Sequence, residues 1–277
     1  MKKTFTLLVL AALLLSSCSG AGNSSPKNLG MKDISIVEKE MVPNDFIPRD
    51  IHVVSVGDSL TEGVGDSTGR GGYLPYLEEQ LEQEKGVSQT EFLNFGVKGN
   101  RTDQLLKKLK SSEVRSAISE ADLVIITIGG NDVMKVVRQN FSNLNVSDFT
   151  GQKAQYEKNL KEIIDTVRSE NSETQIALIG LYNPFYKWFS DITEISDIMD
   201  NWNEASREIL SRYDYTYFVD IKDIFENKAE DLLYTDYFHP NDKGYELIAD
   251  RVYRQIGREA LEVIAEQQKY TVRNEEN

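Results

Sequence analysis

The chain holds one cysteine, Cys18, and two histidines, His52 and His239, among 277 residues. A single thiol can close no internal disulfide, and two separated histidines with one cysteine match no zinc-ligand spacing. Positive charge is short: 31 Lys and Arg against 45 Asp and Glu leave a formal charge of −14, which excludes the basic surface that nucleic-acid binding requires. There is no P-loop. Gly63-Val64-Gly65 is followed by Thr68 and Gly69, one residue out of step with the dinucleotide fingerprint. The acidic residues mark no cation site by their spacing, so no cofactor is expected. The apolar run at 5–15 is too short for an ordinary membrane-spanning helix.

That run makes sense as a leader. Lys2 and Lys3 form a basic n-region before it, and it closes on Leu15-Ser16-Ser17-Cys18, which resembles a bacterial lipobox. The resemblance implies a signal peptide at 1–17 and lipid attachment at Cys18, placing the mature chain on the extracytoplasmic face of a cell membrane. The other reading is an ordinary secretory signal with an incidental cysteine. Residues 18–48 are small, polar and mixed in charge without sustained period, as in a flexible tether. Thirty flexible residues reach roughly 30 Å. The domain is expected over 49–268, long enough for a sizeable core, with a polar tail at 269–277.

Within the domain, strand-like runs recur at 52–56, 91–95, 122–128, 175–181 and 215–219. Helical periods fall between them. Leu74, Leu77 and Leu81 share a face, as do Leu105, Leu106 and Leu109, and Tyr156, Leu160, Ile163, Ile164 and Val167. A last helix starts near Asn241 or Asp242, both good N-cap types, and turns Tyr245, Ile248, Val252 and Ile256 inward. Strands alternating with helices predict a three-layer α/β/α sandwich around a five-stranded parallel sheet.

Ligands of such sheets bind at the carboxyl ends of the strands. Those ends are chemically unusual here. The first strand runs into Gly57-Asp58-Ser59, the second into Gly96-Val97-Lys98-Gly99-Asn100, and the third into Gly129-Gly130-Asn131-Asp132. Beyond the fifth come Asp236 and His239. Serine needs a base to become a nucleophile, and with two histidines in the chain the choice falls on His239. Asp236, three residues earlier, can accept the other ring N–H and fix the tautomer.

These four ordered blocks resemble the SGNH hydrolases, also called GDSL esterases and lipases. The resemblance spans the domain and implies a flavodoxin-like fold and cleavage of carboxylic esters through an acyl-enzyme on Ser59, with Asp236 and His239 completing the triad. It also implies an oxyanion site made by the backbone N–H groups of Ser59 and Gly99 and the side-chain amide of Asn131. The expected partners are a small-molecule or glycan ester and the membrane that holds the anchor; nothing in the sequence bears on oligomeric state. A polysaccharide O-acetyl esterase, a lysophospholipase and a non-catalytic surface lipoprotein remain as alternatives. The Gly-x-Ser-x-Gly elbow of α/β-hydrolases is absent at Ser59.

Single residues also have plainer readings. Asn131 or Asp132 can cap a helix starting near Val133, Asp58 can tie down its own loop, and Ser59 can be an N-cap. His52 reads as structural, and Arg101 as either a contact for an anionic substrate group or a surface ion pair. Two stretches look like insertions: 138–151, and the aromatic run 182–189 with its trailing residues to 200. The aromatics suit either a substrate wall or lid, or a hydrophobic plug under a long loop.

Overall fold

The computed structural model describes residues 48–140, 143–184, 193–226 and 229–275. The expected leader, Cys18, nearly all of the tether, and 185–189 of the aromatic run lie outside them.

Five strands form one sheet: β1 (Arg49–Gly57), β2 (Val87–Gly96), β3 (Leu123–Thr127), β4 (Gln175–Ile179) and β5 (Thr216–Val219). Their order across the sheet is β2-β1-β3-β4-β5, and every pairing is parallel. The helices are α1 (Ser59–Glu62), α2 (Leu74–Leu81), α3 (Thr102–Leu109), α4 (Ser112–Glu120), α5 (Gly130–Gln139), α6 (Asp148–Glu170), α7 (Thr193–Leu210), α8 (Lys222–Phe225), α9 (Ala229–Leu232) and α10 (Asp242–Glu275).

Strand alternation sorts the core into two layers. Val53, Leu123, Ile125, Ala177 and Ile179 face one side with Leu77 of α2 and Tyr245, Ile248 and Val252 of α10. Val54, Val56, Val124, Ile126, Ile176 and Leu178 face the other, with Leu105 and Leu109 of α3, Ile118 of α4, Leu160 and Ile163 of α6 and Trp202 of α7. The three-layer α/β/α sandwich is therefore present as expected. β3 and β4 are buried at all positions, as suits central strands covered on both faces, whereas β2 at the edge is largely exposed.

Some boundaries differ from the sequence reading. β2 begins at Val87 rather than 91, because its polar first residues Ser88 and Gln89 lie on an edge strand that need not be apolar on both faces. α6 starts at Asp148, inside a stretch that reads as an insertion. α10 runs unbroken to Glu275, so the polar residues expected to form a tail after 268 are helical for most of their length. They lack apolar periodicity but also lack glycine or proline, and nothing in them stops a helix.

The sheet order reverses about β1: the chain passes from β1 outward to β2, then back across to β3. A crevice opens there at the carboxyl ends. One row of paired residues marks that edge, running Gly96, Gly57, Thr127, Ile179, Val219. The expected site residues lie just beyond it.

Candidate active site

Ser59 is the first residue of α1. Asp58, not Ser59, is the N-cap, its carboxylate accepting from Leu60 N–H at 3.1 Å. The turn is drawn tightly against β3: Asp58 N–H donates to the Thr127 carbonyl at 3.0 Å, and Thr127 Oγ1 donates to Asp58 Oδ1 at 2.9 Å. A Cβ on Gly57 would lie 2.1 Å from the Thr127 carbonyl oxygen, so only glycine lets the two backbones approach this closely. Thr127 Oγ1 continues to Thr61 Oγ1 at 2.8 Å and Thr61 to Tyr73 Oη at 3.0 Å, a buried hydroxyl chain beneath the serine. Burial pushes the Asp58 carboxyl up to about 7, against the hydrogen bonds from Leu60 and Thr127 that pull it down.

His239 reaches Ser59 across 180 positions of sequence. Its Nε2 lies 2.9 Å from Ser59 Oγ, and its Nδ1 lies 2.6 Å from Asp236 Oδ2. Asp236 Oδ1 also accepts the backbone N–H groups of Phe238 and His239, each at 3.0 Å. Burial works to raise the Asp236 carboxyl, but the bonds from His239 and Phe238 outweigh it and hold the group below the ordinary carboxylate range. Ser59 and His239 are both buried, whereas Asp236 is exposed at the rim of the arrangement.

The loop carrying the acid and base is fixed from several sides. Tyr234 N–H donates to the His239 carbonyl at 2.7 Å, and Leu233 bridges Pro240. Tyr182 Oη donates to the Phe238 carbonyl at 2.5 Å. Asn241 holds the far end: its Oδ1 accepts Gly244 N–H at 3.0 Å, capping α10, while its Nδ2 donates to the Asp231 and Leu233 carbonyls. Tyr237 sits at φ +55, a left-handed conformation uncommon outside glycine that the surrounding bonds hold in place.

Asn131 lies in the first turn of α5, where its Nδ2 donates to the Asn100 carbonyl at 3.0 Å. Asn100 Nδ2 in turn donates to the Gly57 carbonyl at 3.3 Å. Asn100 thus ties together the three loops bearing Ser59, Gly99 and Asn131. Among the described residues, no protein acceptor takes the backbone N–H of Ser59 or of Gly99. Gly99 sits at φ +83, and a Cβ added there would meet nothing within 4 Å, so its face is open.

Asp132 does not cap α5. That place belongs to Gly129, at φ +114, and a Cβ there would meet the Tyr156 ring at 2.7 Å. The Asp132 carboxylate instead accepts Thr102 N–H at 3.0 Å and Thr102 Oγ1 at 2.8 Å, joining α5 to α3, and burial raises its pKa. Thr127, Asn100 and Asp132 support the site without a sequence motif that marks them in that role. Their position at strand ends is the available signal, but their partners lie about thirty or more residues away. Arg101 pairs with Asp103 at 3.1 Å. His52 lies half-exposed at the other end of β1, near Asp122 at 3.4 Å and apart from the site.

A cleft partly open to solvent lies beside Ser59. Ile128, Asn131, Met134, Leu181, Met199 and Phe238 are among its walls. From the aromatic run, Tyr182 lines it while stacking on Phe225 with ring centroids 4.1 Å apart, so this residue is both wall and core. Among the described residues no group of His, Cys, Asp and Glu is arranged to hold a metal ion.

Residues 55–247 match the GDSL-like Lipase/Acylhydrolase family. The chain belongs to it. As a member it is a carboxylic ester hydrolase of the GDSL type. The chain is 36% identical to the uncharacterized protein YpmR of Bacillus subtilis (strain 168) over 261 residues, covering 94% of this chain and 98% of that one. Among solved structures it is similar to the lipase Lip_vut3 from a goat rumen metagenome, with TM-score 0.67, 21% identity and coverage of 74% and 96%. It is also similar to the acetylxylan esterase Axe2 of Geobacillus stearothermophilus, with TM-score 0.57, 21% identity and coverage of 76% and 96%. At these identities the two structures speak for the fold.

Proposed function

We propose that this GDSL hydrolase is a membrane-tethered, extracytoplasmic esterase that forms an acyl-enzyme on Ser59. The observation that carries the chemistry is the contact of Ser59 Oγ with His239 Nε2 at 2.9 Å, backed by Asp236 at 2.6 Å. His239 takes the hydroxyl proton as Oγ attacks the ester carbonyl, and Asp236 stabilises the imidazolium that results. The oxyanion is met by the N–H groups of Ser59 and Gly99 and the second N–H of the Asn131 amide, whose first is spent on Asn100. His239 then protonates the departing alcohol, and water admitted to the same base releases the acid.

Short acyl groups, acetyl to hexanoyl, are the expected substrates of the cleft walled by Met134, Leu181, Met199 and Phe238, and the formal charge of −14 works against docking on an anionic leaflet. A second reading, esterase action on an acetylated glycan, is favoured by Tyr234 and Tyr237, which stay exposed on the loop that carries Asp236 and His239. Aromatic faces of this kind can stack on a sugar ring. The proposed attachment is through Cys18, at the end of the lipobox-like run Leu15-Ser16-Ser17-Cys18; among the described residues no helix is long and apolar enough to cross a membrane. Residues 18–48 would let the domain work near the membrane without lying on it.

Labelling with a serine-directed fluorophosphonate tests the chemistry. One adduct is expected on the peptide containing Ser59, absent in Ser59→Ala; an adduct elsewhere, or none, contradicts the proposal. Mass spectrometry of the mature N-terminus tests the anchor, with a diacylglyceryl-modified Cys18 expected and an unmodified or differently cleaved terminus against it.

A further inference from the structure

We propose that the cleft beside Ser59 seats the acyl chain of the ester, and that Gly130 determines how long a chain it admits. The inference rests on the acyl-enzyme reading and adds to it the residue that sets specificity.

The orientation follows from the proton path. The alcohol must leave on the side of His239, which donates to it, and His239 does not line the cleft. The cleft opens toward the carboxyl ends of β3 and β4, between Asn131 on one wall and Leu181 on another. An ester carbonyl held at Ser59 with its leaving group toward His239 therefore directs its acyl chain into this space. The chain would run past the first turn of α5 toward Met134 and Met199. Gly130 and Met134 are four residues apart, so they lie one turn apart on the same face of α5.

Two adjacent glycines precede Asn131, and their circumstances differ. Gly129 is required by its backbone and by the Tyr156 ring against it. Gly130 is not among the glycines of positive φ, and a Cβ added to it would meet nothing within 4 Å. Backbone conformation and close packing thus both allow a side chain at 130. What glycine preserves there is empty space on the cleft wall, immediately before the proposed oxyanion residue. A larger residue would occupy the path of the acyl chain, whereas trimming Met199, a buried wall residue from α7, would extend it.

The test measures kcat/KM on p-nitrophenyl acetate, butyrate, hexanoate and octanoate, below micelle formation, for the wild type, Gly130→Ala, Gly130→Val and Met199→Ala. Each methylene seated in the cleft contributes about fourfold, so the wild type should improve from acetate to hexanoate and then level or fall. Gly130→Val should lower the hexanoate-to-acetate ratio by about 10–10²-fold, with Gly130→Ala intermediate and as thermally stable as the wild type. Met199→Ala should move the optimum to a longer chain. Ratios that stay parallel to the wild type in Gly130→Ala and Gly130→Val overturn the inference, as does a ratio that rises with side-chain size. If Gly130→Val does not fold, an unchanged ratio in Gly130→Ala together with an unmoved optimum in Met199→Ala has the same force. A wild type with no serine-dependent esterase activity brings down the acyl-enzyme reading as well; an active one with parallel profiles brings down this inference alone.

Discussion

Thr127 at the end of β3 holds Asp58 by two contacts at once: its carbonyl accepts Asp58 N–H at 3.0 Å, and its hydroxyl donates to Asp58 Oδ1 at 2.9 Å. The residue before the nucleophile is thereby pinned to the central strand of the sheet. Thr127→Val keeps the shape but removes the hydroxyl from a buried chain, leaving Asp58 and Thr61 short of a partner. A loss of about 1–3 kcal/mol in unfolding free energy is expected, with a fall in kcat larger than any change in KM. Urea unfolding and steady-state kinetics check both, and Thr127→Ser should recover most of each.

Asp58 should leave a signature in the pH dependence of stability. Its carboxyl is raised from 3.8 to about 7 in the folded protein by burial. Between those values the folded state holds a proton that the unfolded chain has released, so this residue's contribution to stability falls as pH rises and levels off above the upper value. Asp58→Asn lacks the titration. The wild type should therefore lose on the order of a few kcal/mol relative to Asp58→Asn as pH rises across that window. Chemical denaturation of both proteins at a series of pH values measures the difference; a flat difference contradicts it.

The oxyanion wall is expected to respond in two grades. Asn131→Ala removes a proposed donor to the transition state and should lower kcat by about 10²–10³. Asn100→Ala removes the amide joining Asn100 to the Gly57 carbonyl and loosens the wall without removing a donor, so a smaller loss of about tenfold is expected. An Asn100→Ala defect equal to that of Asn131→Ala, or none at all, would contradict this division of roles in a kinetic comparison of the two variants.

Much of this is legible in the sequence because strand ends carry their chemistry locally. Gly57-Asp58-Ser59, Gly99 and Asn131 each stand just past a strand, the Asp236–His239 pair follows β5 after two short helices, and the fold brings Ser59, His239 and Asp236 into one hydrogen-bonded line. What is not legible depends on contacts between distant segments. Thr127 looks like the last β-branched residue of a buried strand until Asp58 is placed beside it. Asp132 has the composition of a helix cap, but the left-handed Gly129 moves the cap upstream and frees the carboxylate to bind Thr102. The three four-residue helices α1, α8 and α9 are too short to show a period.

Asp236 is expected to matter through the base it orients. Asp236→Asn should lower kcat by about 10⁴ by disturbing the His239 tautomer. Its carboxyl lies below the ordinary carboxylate range in the folded state, so the stability it contributes is present above that range and is lost as pH falls through the folded value. The stability gap between wild type and Asp236→Asn at neutral pH should therefore narrow in acid. Urea unfolding at neutral pH and at about pH 3 tests the direction.

The acyl-enzyme can be sought directly by rapid acid quench during turnover of p-nitrophenyl butyrate, followed by mass measurement of the intact protein and its peptides. A butyryl adduct on the peptide containing Ser59 is expected, forming with a burst of p-nitrophenol, and it should be missing from Ser59→Ala. Full hydrolysis by Ser59→Ala, free of wild-type contamination, or a butyryl group found on another residue, would contradict a nucleophilic Ser59.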